Sequence, residues 1–243
     1  MEMKYDRVIQ GTFIDRPNRF IANVRIKGEG DVSDPVVRCH VKNTGRCGEI
    51  LIPGARVILS ESDNPDRATR FDLVAAYKGD LLINIDSQAP NKAFREFLLG
   101  SDLLPEGSII RPEYTHGDSR FDFHADTPDG EVFIEVKGVT LEHEGLCSFP
   151  DAPTERGVKH LRGLMRCIEE GHSAWAVFIV QMRGMGSFTP NYATHEEFGR
   201  VLEEAEGKGV RVLVLQCDVT EDSMTVVDDR LPHSYSSDAA TTP

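Results

Sequence analysis

Short runs of alternating apolar and polar residues, separated by turn-forming residues, occupy the first 85 positions of the chain. Such alternation is typical of strands that bury one face. Breakers such as Pro53-Gly54 separate the runs, and no helical periodicity competes with them. We therefore predict a small all-β barrel. Its predicted strands are residues 7–13, 20–26, 36–41, 55–60 and 72–77.

The pattern changes after Asn84. Apolar residues recur at helical spacing from Ala93 to Leu98, and Gly100 follows as a stop signal. Strand-like runs then alternate with helix-like runs, which indicates a layered α/β structure. We predict a barrel domain over 1–85, an α/β domain over 86–232 and a disordered tail over 233–243. Further predicted elements are strands at 109–114, 119–126, 131–139, 174–180 and 210–216, and helices at 154–170 and before Gly207.

Composition narrows the class of protein. The 243 residues are 40% hydrophobic, which is enough for a substantial core. No apolar run approaches the length of a membrane helix, and the first residues lack a signal-peptide core, so we expect a cytoplasmic protein without membrane contact. Five widely spaced cysteines without a Cys-x-x-Cys pair indicate reduced thiols.

The net charge of the whole chain argues against nucleic-acid binding. Forty acidic residues against 27 basic ones give a net charge of -13. An acidic protein repels a polyanion unless its positive charge is concentrated locally.

A predicted hairpin in the second half brings acidic residues together on one face. The turn at 127–130 places Asp126 opposite Glu131, and this register gives a wholly apolar face. On the other face Asp122 lies opposite Glu135, with Cβ atoms about 5 Å apart. The apolar face is predicted to hold Phe121, Phe123, Ala125, Val132, Ile134 and Val136.

Two opposed carboxylates destabilise a strand pair unless a proton or a cation lies between them. Mg²⁺ prefers such oxygen ligands and keeps several waters. Lys137 lies two residues after Glu135, so it shares the face and can orient water or stabilise charge on a phosphorane. We therefore predict a metal-dependent site of Asp122, Glu135 and Lys137. The alternative is a set of solvated strand residues with a surface lysine.

Three segments carry a resemblance. They are Arg120-Phe-Asp-Phe123, the run from Ile134 to Leu141 and the block from Phe149 to Leu161, and they closely resemble the sugar fermentation stimulation protein family (SfsA). The resemblance also includes Arg19-Phe-Ile-Ala22 and Asn43-Thr-Gly45. It implies an N-terminal OB-fold-like β-barrel, a C-terminal restriction-endonuclease-like α/β domain similar to PD-(D/E)XK nucleases, and DNA binding.

In that nuclease pattern Asp122 and Glu135 would be the metal carboxylates, and Lys137 would be the lysine of the motif. Glu96 or Glu113 would be an accessory acid, and the metal would be Mg²⁺ or Mn²⁺. Two positions depart from the pattern: Lys42 stands where a proline is expected, and His195 where an acid is expected.

Basic residues supply a candidate phosphate track. The helix after residue 153 carries a basic stripe. An isolated stripe of this kind is usually a solvated face, but its position beside a metal site favours contacts with the phosphates of a nucleic-acid backbone. His160 is expected either as a structural histidine or as a phosphate or water contact. Phe13 and Phe20 are stacking candidates, although a core position is expected for both. The predicted nucleic-acid contacts are Arg16, Arg19, Lys42 and Arg46 in the barrel, and Arg156, Lys159, His160 and Arg162 on the helix, which Arg166 extends.

These features leave three hypotheses. The first is a protein that binds DNA, or RNA, and cleaves phosphodiesters with Mg²⁺ or Mn²⁺. The second is a non-catalytic DNA-binding regulator of sugar metabolism that retains a nuclease scaffold. The third is a metal-dependent hydrolase of a small substrate, which no serine or cysteine nucleophile motif supports.

Overall fold

The computed structural model describes residues 3–28, 34–43 and 45–235. Among these residues, the first half contains strands, and the first helix begins after residue 88. The first-half strands are β1 (Met3–Lys4), β2 (Val8–Asn18), β3 (Ile21–Ile26), β4 (Val36–Val41), β5 (Arg56–Glu61), β6 (Phe71–Lys78) and β7 (Leu81–Asn84).

The second half begins with α1 (Ala89–Gly100) and contains three helices among the described residues. Thr154 caps the second helix, because its side chain accepts a hydrogen bond from the Gly157 N–H at 3.1 Å. The remaining elements are β8 (Ile109–His116), β9 (Ser119–Thr127), β10 (Gly130–Val139), β11 (Leu141–His143), β12 (Leu146–Phe149), α2 (Glu155–Glu169), β13 (Ser173–Val180), β14 (Ser187–Pro190), α3 (Tyr192–Gly207), β15 (Arg211–Val219) and β16 (Ser223–Arg230).

A closed barrel forms from five strands of the first half. Strand β2 pairs with β3 and β5, β3 pairs with β4, and β6 joins β5 to β4. The inward residues of these strands are fully buried, among them Phe13, Val24 and Leu59. The five strands are those predicted from alternation, so the barrel is confirmed. Strand β7 extends the sheet beyond β6.

The second half is a three-layer α/β structure. Its seven-stranded sheet has the order β1-β16-β15-β13-β10-β9-β8, and β10, β13 and β15 are parallel. One face packs against α1 through Phe94 and Leu98. The other packs against α2 and α3 through Leu161 and Phe198. The parallel strands are rich in apolar residues because both of their faces are covered, and Glu135 and Lys137 on β10 are exceptions.

At both ends of the described chain, the contacts differ from those expected from the predicted domain limits. Met3 pairs with Met224, so β1 belongs to the α/β sheet and not to the barrel. The Ser234 N–H donates to the Phe188 carbonyl, and the Tyr235 hydroxyl donates to Glu206. Residues 233–235 are therefore packed, contrary to the predicted tail. Residues 236–243, like Thr44 of the 43–45 motif, lie outside the described residues.

Within the described part of the chain, no helix is both long enough and apolar enough to cross a membrane. The five cysteines are free and buried. Burial raises the pKa of the Cys39, Cys47 and Cys147 thiols to about 12, which keeps them protonated and weakly reactive.

Close packing of α2 on β9 depends on a glycine. A Cβ atom on Gly163 would lie 2.5 Å from Ser119 Oγ and 3.1 Å from the Phe121 ring. We expect Gly163→Ala to lower the free energy of unfolding by about 1–3 kcal/mol through overpacking. Urea unfolding measures it. Gly207→Ala is the control, since a Cβ atom there meets nothing within 4 Å. An equal loss in both variants would contradict the packing account.

Candidate functional site

The β9–β10 hairpin has the predicted register. Asp126 pairs with Glu131, and the ladder continues to Phe123 opposite Ile134. At the next position the Asp122 side chain replaces a backbone partner. Its Oδ2 accepts the Val136 N–H at 2.8 Å, and its Oδ1 accepts an amide hydrogen of Asn91 at 2.7 Å. Asp122 is thus fixed at both oxygens where the two strands separate.

The predicted single apolar face is wrong at one residue. Phe123 packs toward α1, where its ring lies 6.0 Å from that of Phe94. Phe121 packs on the opposite side of the sheet, 5.7 Å from the Phe133 ring. The change of face coincides with Glu113 on β8, whose φ of +53° interrupts regular strand geometry beside Asp122.

Glu135 is a buried carboxylate with unequal oxygens. Only 3% of the residue is exposed. Its Oε1 accepts from Lys137 Nζ and is hydrogen bonded to His160 Nδ1. Its Oε2 is buried and has no hydrogen-bond partner among the described residues. A buried oxygen of this kind is costly unless something else contacts it.

The two carboxyl groups respond oppositely to this environment. Burial, followed by the negative charge of Glu135, raises the pKa of Asp122 above its ordinary value. Burial would also raise the pKa of Glu135, but the hydrogen bond from His160 and the charge of Lys137 outweigh it and hold that pKa low. Glu135 therefore carries the negative charge more readily than Asp122 does.

His160 connects the buried carboxylate to the surface of α2. Its Nε2 lies 3.4 Å from Nε of Arg156, which can only donate. If Nε2 accepts from Arg156, Nδ1 carries a proton and donates it to Glu135. His160 is buried at 5% exposure, contacts Glu135 and does not line the groove.

The donor set fits a divalent cation. Asp122 and Glu135 supply hard oxygen ligands, and the unpartnered Oε2 of Glu135 has unused acceptor capacity. A cation between them would also remove the repulsion that raises the pKa of Asp122. Lys137 already compensates part of this charge through Glu135.

Neither predicted accessory acid lies at this centre. Asn91 is the α1 residue that contacts Asp122. Glu96 comes five residues later, which places it about 140° around the helix. The Glu113 side chain is 70% exposed and pairs with Arg120. Sequence spacing does not predict where Glu96 and Glu113 lie, because their positions depend on how α1 and β8 pack on the sheet.

A groove of about 930 Å³ separates the barrel from the α/β layer beside Lys137. Arg16, Arg19 and Arg46 line it from the barrel side, and Arg156 lines it from α2. The structure therefore brings together predicted cations from both halves of the chain. Their clustering gives a local positive surface in a protein of net charge -13.

Two of the predicted barrel cations are used internally. The Arg16 guanidinium donates to the carbonyls of Asn43, Gly45, Arg46 and Arg19 at 2.7–3.0 Å. Lys42 pairs at 2.8 Å with the fully buried Asp86. Arg16 thus holds the loops that shape the groove. Arg19 and Arg46 are exposed.

The predicted basic stripe on α2 extends from the groove onto a neighbouring shallow pocket, which is lined by Arg156, Lys159, Arg162 and Arg166. Arg156 lines the groove, whereas Lys159 lies 3.8 Å from Asp118 and Arg162 lies 2.6 Å from Glu197. Arg166 also pairs with Asp118. Each step of three residues rotates by about 60° around a helix, so Lys159 and Arg162 lie farther from the groove than Arg156 does.

The two phenylalanines expected in the core differ. Phe13 is 2% exposed and belongs to the core, as expected. Phe20 is 50% exposed at the β2–β3 turn, so its expected core position is wrong. His195, which departs from the family pattern, interrupts α3 with φ -155° and accepts the Thr154 N–H.

Sequence reasoning missed two residues of this region. From the sequence, Asn91 is predicted only as part of the start of a helix. Its spacing gives no signal that it contacts Asp122. Asp151 lines the groove, and its Oδ2 is buried without a hydrogen-bond partner among the described residues. Its position depends on the 43–45 loop, where a Cβ atom on Gly45 would lie 2.2 Å from that oxygen.

A closed barrel followed by an α/β domain with a buried carboxylate pair defines a two-domain class. Family models agree with this division: the SfsA N-terminal OB domain matches residues 14–85, and the sugar fermentation stimulation protein RE domain matches residues 88–223. The chain belongs to the sugar fermentation stimulation protein (SfsA) family.

Individual relatives span nearly the whole chain. A sugar fermentation stimulation protein homolog of Clostridium beijerinckii is 50% identical over 226 residues, covering 93% of this chain and 97% of the relative. One from Desulfitobacterium hafniense (strain DSM 10664 / DCB-2) is 51% identical over 226 residues, covering 93% and 96%. The structure of Pyrococcus furiosus SfsA in complex with Ca²⁺ matches with a TM-score of 0.84 and 28% identity, covering 96% of this chain and 99% of that one.

The opposed pKa directions predict opposite effects of neutralising each carboxylate on stability. The raised pKa of Asp122 gives a contribution that is present in acid and lost as pH rises through the folded-state pKa. Asp122→Asn should therefore be at least as stable as the parent in metal-free buffer at neutral pH. Asn91 can flip its amide and keep both hydrogen bonds.

The lowered pKa of Glu135 gives a contribution that is present above the ordinary glutamate pKa and lost as pH falls through the folded-state pKa. Glu135→Gln should therefore lower the free energy of unfolding at neutral pH, and should lower it less in acid. Urea midpoints across pH, with Asp129→Asn in the exposed turn as control, measure both effects. Equal losses for Asp122→Asn and Glu135→Gln at neutral pH would refute the assignment.

Proposed function

We propose that this protein binds DNA in the interdomain groove and cleaves phosphodiester bonds with a divalent metal held by Asp122 and Glu135. One observation carries the proposal. A buried carboxylate with an unpartnered oxygen lies near enough to a second carboxylate to affect its pKa, beside a lysine that lines a basic groove. Such an arrangement is costly for folding, and a cation with a phosphate substrate would compensate for it.

Mg²⁺ or Mn²⁺ is the proposed metal. The Ca²⁺ complex of the Pyrococcus furiosus relative supports a divalent cation in this family. Mg²⁺ suits sites with one or two carboxylates that share the ion with substrate phosphates. When bound, such a metal polarises the scissile phosphate and lowers the pKa of a coordinated water.

The residues of the chain have separate roles in this proposal. Asp122 and Glu135 would hold the metal, with Asn91 fixing Asp122 and His160 fixing Glu135. Lys137 would release Glu135 and donate to a phosphate oxygen or to the attacking water. It is suited to both because it lines the groove and already reaches the carboxylate.

The groove would hold the nucleic-acid backbone. Arg19, Arg46 and Arg156 are exposed along it and are the cations best placed to contact phosphates. Arg16 supports them from behind through its loop contacts. DNA is the proposed partner, with RNA as the comparison that the assay includes.

A specific observation favours a second candidate, a DNA-binding regulator that no longer cleaves. Lys137 lines the groove, but neither carboxylate does, and Glu135 is 3% exposed. A phosphate in the groove would then meet lysine and arginine without reaching the carboxylates. Both candidates bind DNA in the groove. They differ only in whether the bound DNA is cleaved.

Cleavage separates these candidates. Purified protein with labelled single- and double-stranded DNA and RNA should cut at least one form only when Mg²⁺ or Mn²⁺ is present. Lys137→Ala and Asp122→Asn should each lower the rate about 100-fold or more, because each removes a group acting on the reacting phosphate. Lys208→Ala on the far end of α3 is the control. DNA affinity of Asp122→Asn in metal-free buffer should be unchanged or slightly higher.

Two outcomes would remove the nuclease assignment. One is a wild-type protein that cuts no strand form with either metal. The other is cutting that persists in both variants, which would identify a contaminating enzyme. If DNA binding survives, the non-catalytic candidate replaces the first.

Binding tests the groove itself. Arg156→Glu should weaken DNA binding at every sequence and lower the slope of log affinity against log salt by about 1, as loss of one phosphate contact requires. Lys159→Glu is the matched control, since it lies one turn away and faces Asp118. Fluorescence anisotropy across salt concentrations measures both. Similar slope changes in the two variants would contradict the assignment of Arg156, and not Lys159, to the groove.

A further inference from the structure

A second cluster of ligand-type side chains lies outside the groove. His116 ends β8, Glu170 follows α2 and His172 precedes β13. One ligand atom from each lies within 4.8 Å of the other two. His116 Nε2 and a Glu170 carboxylate oxygen are 2.6 Å apart. None of the three lines the groove or contacts Asp122 or Glu135.

We propose that His116, Glu170 and His172 form a binding site for Zn²⁺ or a similar borderline divalent cation. Two imidazole nitrogens and one carboxylate oxygen are a donor set that Zn²⁺ uses, with a further position left for water. Mg²⁺ and Ca²⁺ prefer oxygen ligands alone, so the site is chemically distinct from the carboxylate pair.

A neighbouring carboxylate, Glu131, supports this assignment. His172 Nδ1 lies 3.3 Å from Glu131 Oε2, and Glu131 Oε1 lies 3.0 Å from His124 Nε2. Metal-binding histidines usually donate their other N–H to a carboxylate, which fixes the ring and its tautomer. A proton on Nδ1 beside Glu131 would leave the His172 lone pair on Nε2, where it could bind a metal.

The supporting residues are held rigidly. His124 is 2% exposed, and its ring stacks on Tyr114 at 4.1 Å between centroids. Its Nδ1 is buried without a hydrogen-bond partner among the described residues, so its only polar contact is Glu131. The Phe133 ring packs against His116, His124 and His172 at 4.5–5.3 Å. The cluster therefore has an apolar base and needs little reorganisation to bind.

A comparable cluster elsewhere lacks these supports. Glu155, His195 and Glu197 also approach within 4.8 Å. However, Nδ1 of His195 accepts the Thr154 N–H, Glu197 pairs with Arg162 at 2.6 Å, and the Glu155 side chain is 83% exposed. His195 is thus a matched control for a histidine whose surroundings are occupied by protein contacts.

The test is metal titration of the full chain without a histidine tag. Glu135→Gln is used as the background so that the carboxylate pair does not contribute. We expect one Zn²⁺ per chain by calorimetry and one Co²⁺ with visible d–d absorption, both retained in excess Mg²⁺. His116→Gln, His172→Ala and Glu170→Gln should each weaken Zn²⁺ binding about 100-fold. Glu131→Gln should weaken it about 10-fold.

His195→Gln should leave Zn²⁺ affinity and stoichiometry unchanged. Circular dichroism of each variant checks that the fold is intact, and the half-exposed Glu170 provides a substitution that removes a ligand without altering the core. The proposal is overturned if no stoichiometric Zn²⁺ binds. It is also overturned if His195→Gln abolishes binding while folded Glu170→Gln retains it.

Discussion

The rest of the structure depends on one buried charge, the Glu135 carboxylate. One of its oxygens accepts from Lys137 and His160, and the other has no hydrogen-bond partner among the described residues. Isolated buried charges are among the most costly features a fold can contain, and a second carboxylate nearby adds to the cost. The central parallel strand β10 carries both Glu135 and Lys137, so the site cannot shift without moving the core.

Neighbouring elements are arranged around this charge. Helix α2 approaches β9 closely enough to bring His160 to Glu135, and Gly163 permits that approach. Helix α1 brings Asn91 to Asp122 from the other face of the sheet. On the barrel side, Arg16 fixes the loops that form the far wall of the groove. Sheet, helices and barrel thus converge on one positively charged cleft with acidic groups beneath it.

Sequence predicted the features that depend on local alternation. The five barrel strands and the β9–β10 register follow from apolar faces that must be buried, and a slip would expose them. It did not predict that Phe121 leaves the face of Phe123, since that change depends on strand geometry beside Asp122. Nor could spacing reveal that Lys42 pairs with Asp86, that Lys159 faces Asp118, or that β1 joins β16. Those contacts arise only when distant segments pack together.

We infer that Asp122 and Glu135 coexist in the fold because a divalent cation binds between them. Anomalous diffraction from crystals grown with Mn²⁺ tests this most directly. We expect a peak about 2.1 Å from an oxygen of each carboxylate, with Lys137 displaced from Glu135 toward the groove. Absence of a peak at saturating Mn²⁺, with Lys137 still bound to Glu135 and the carboxylates turned apart, would contradict it.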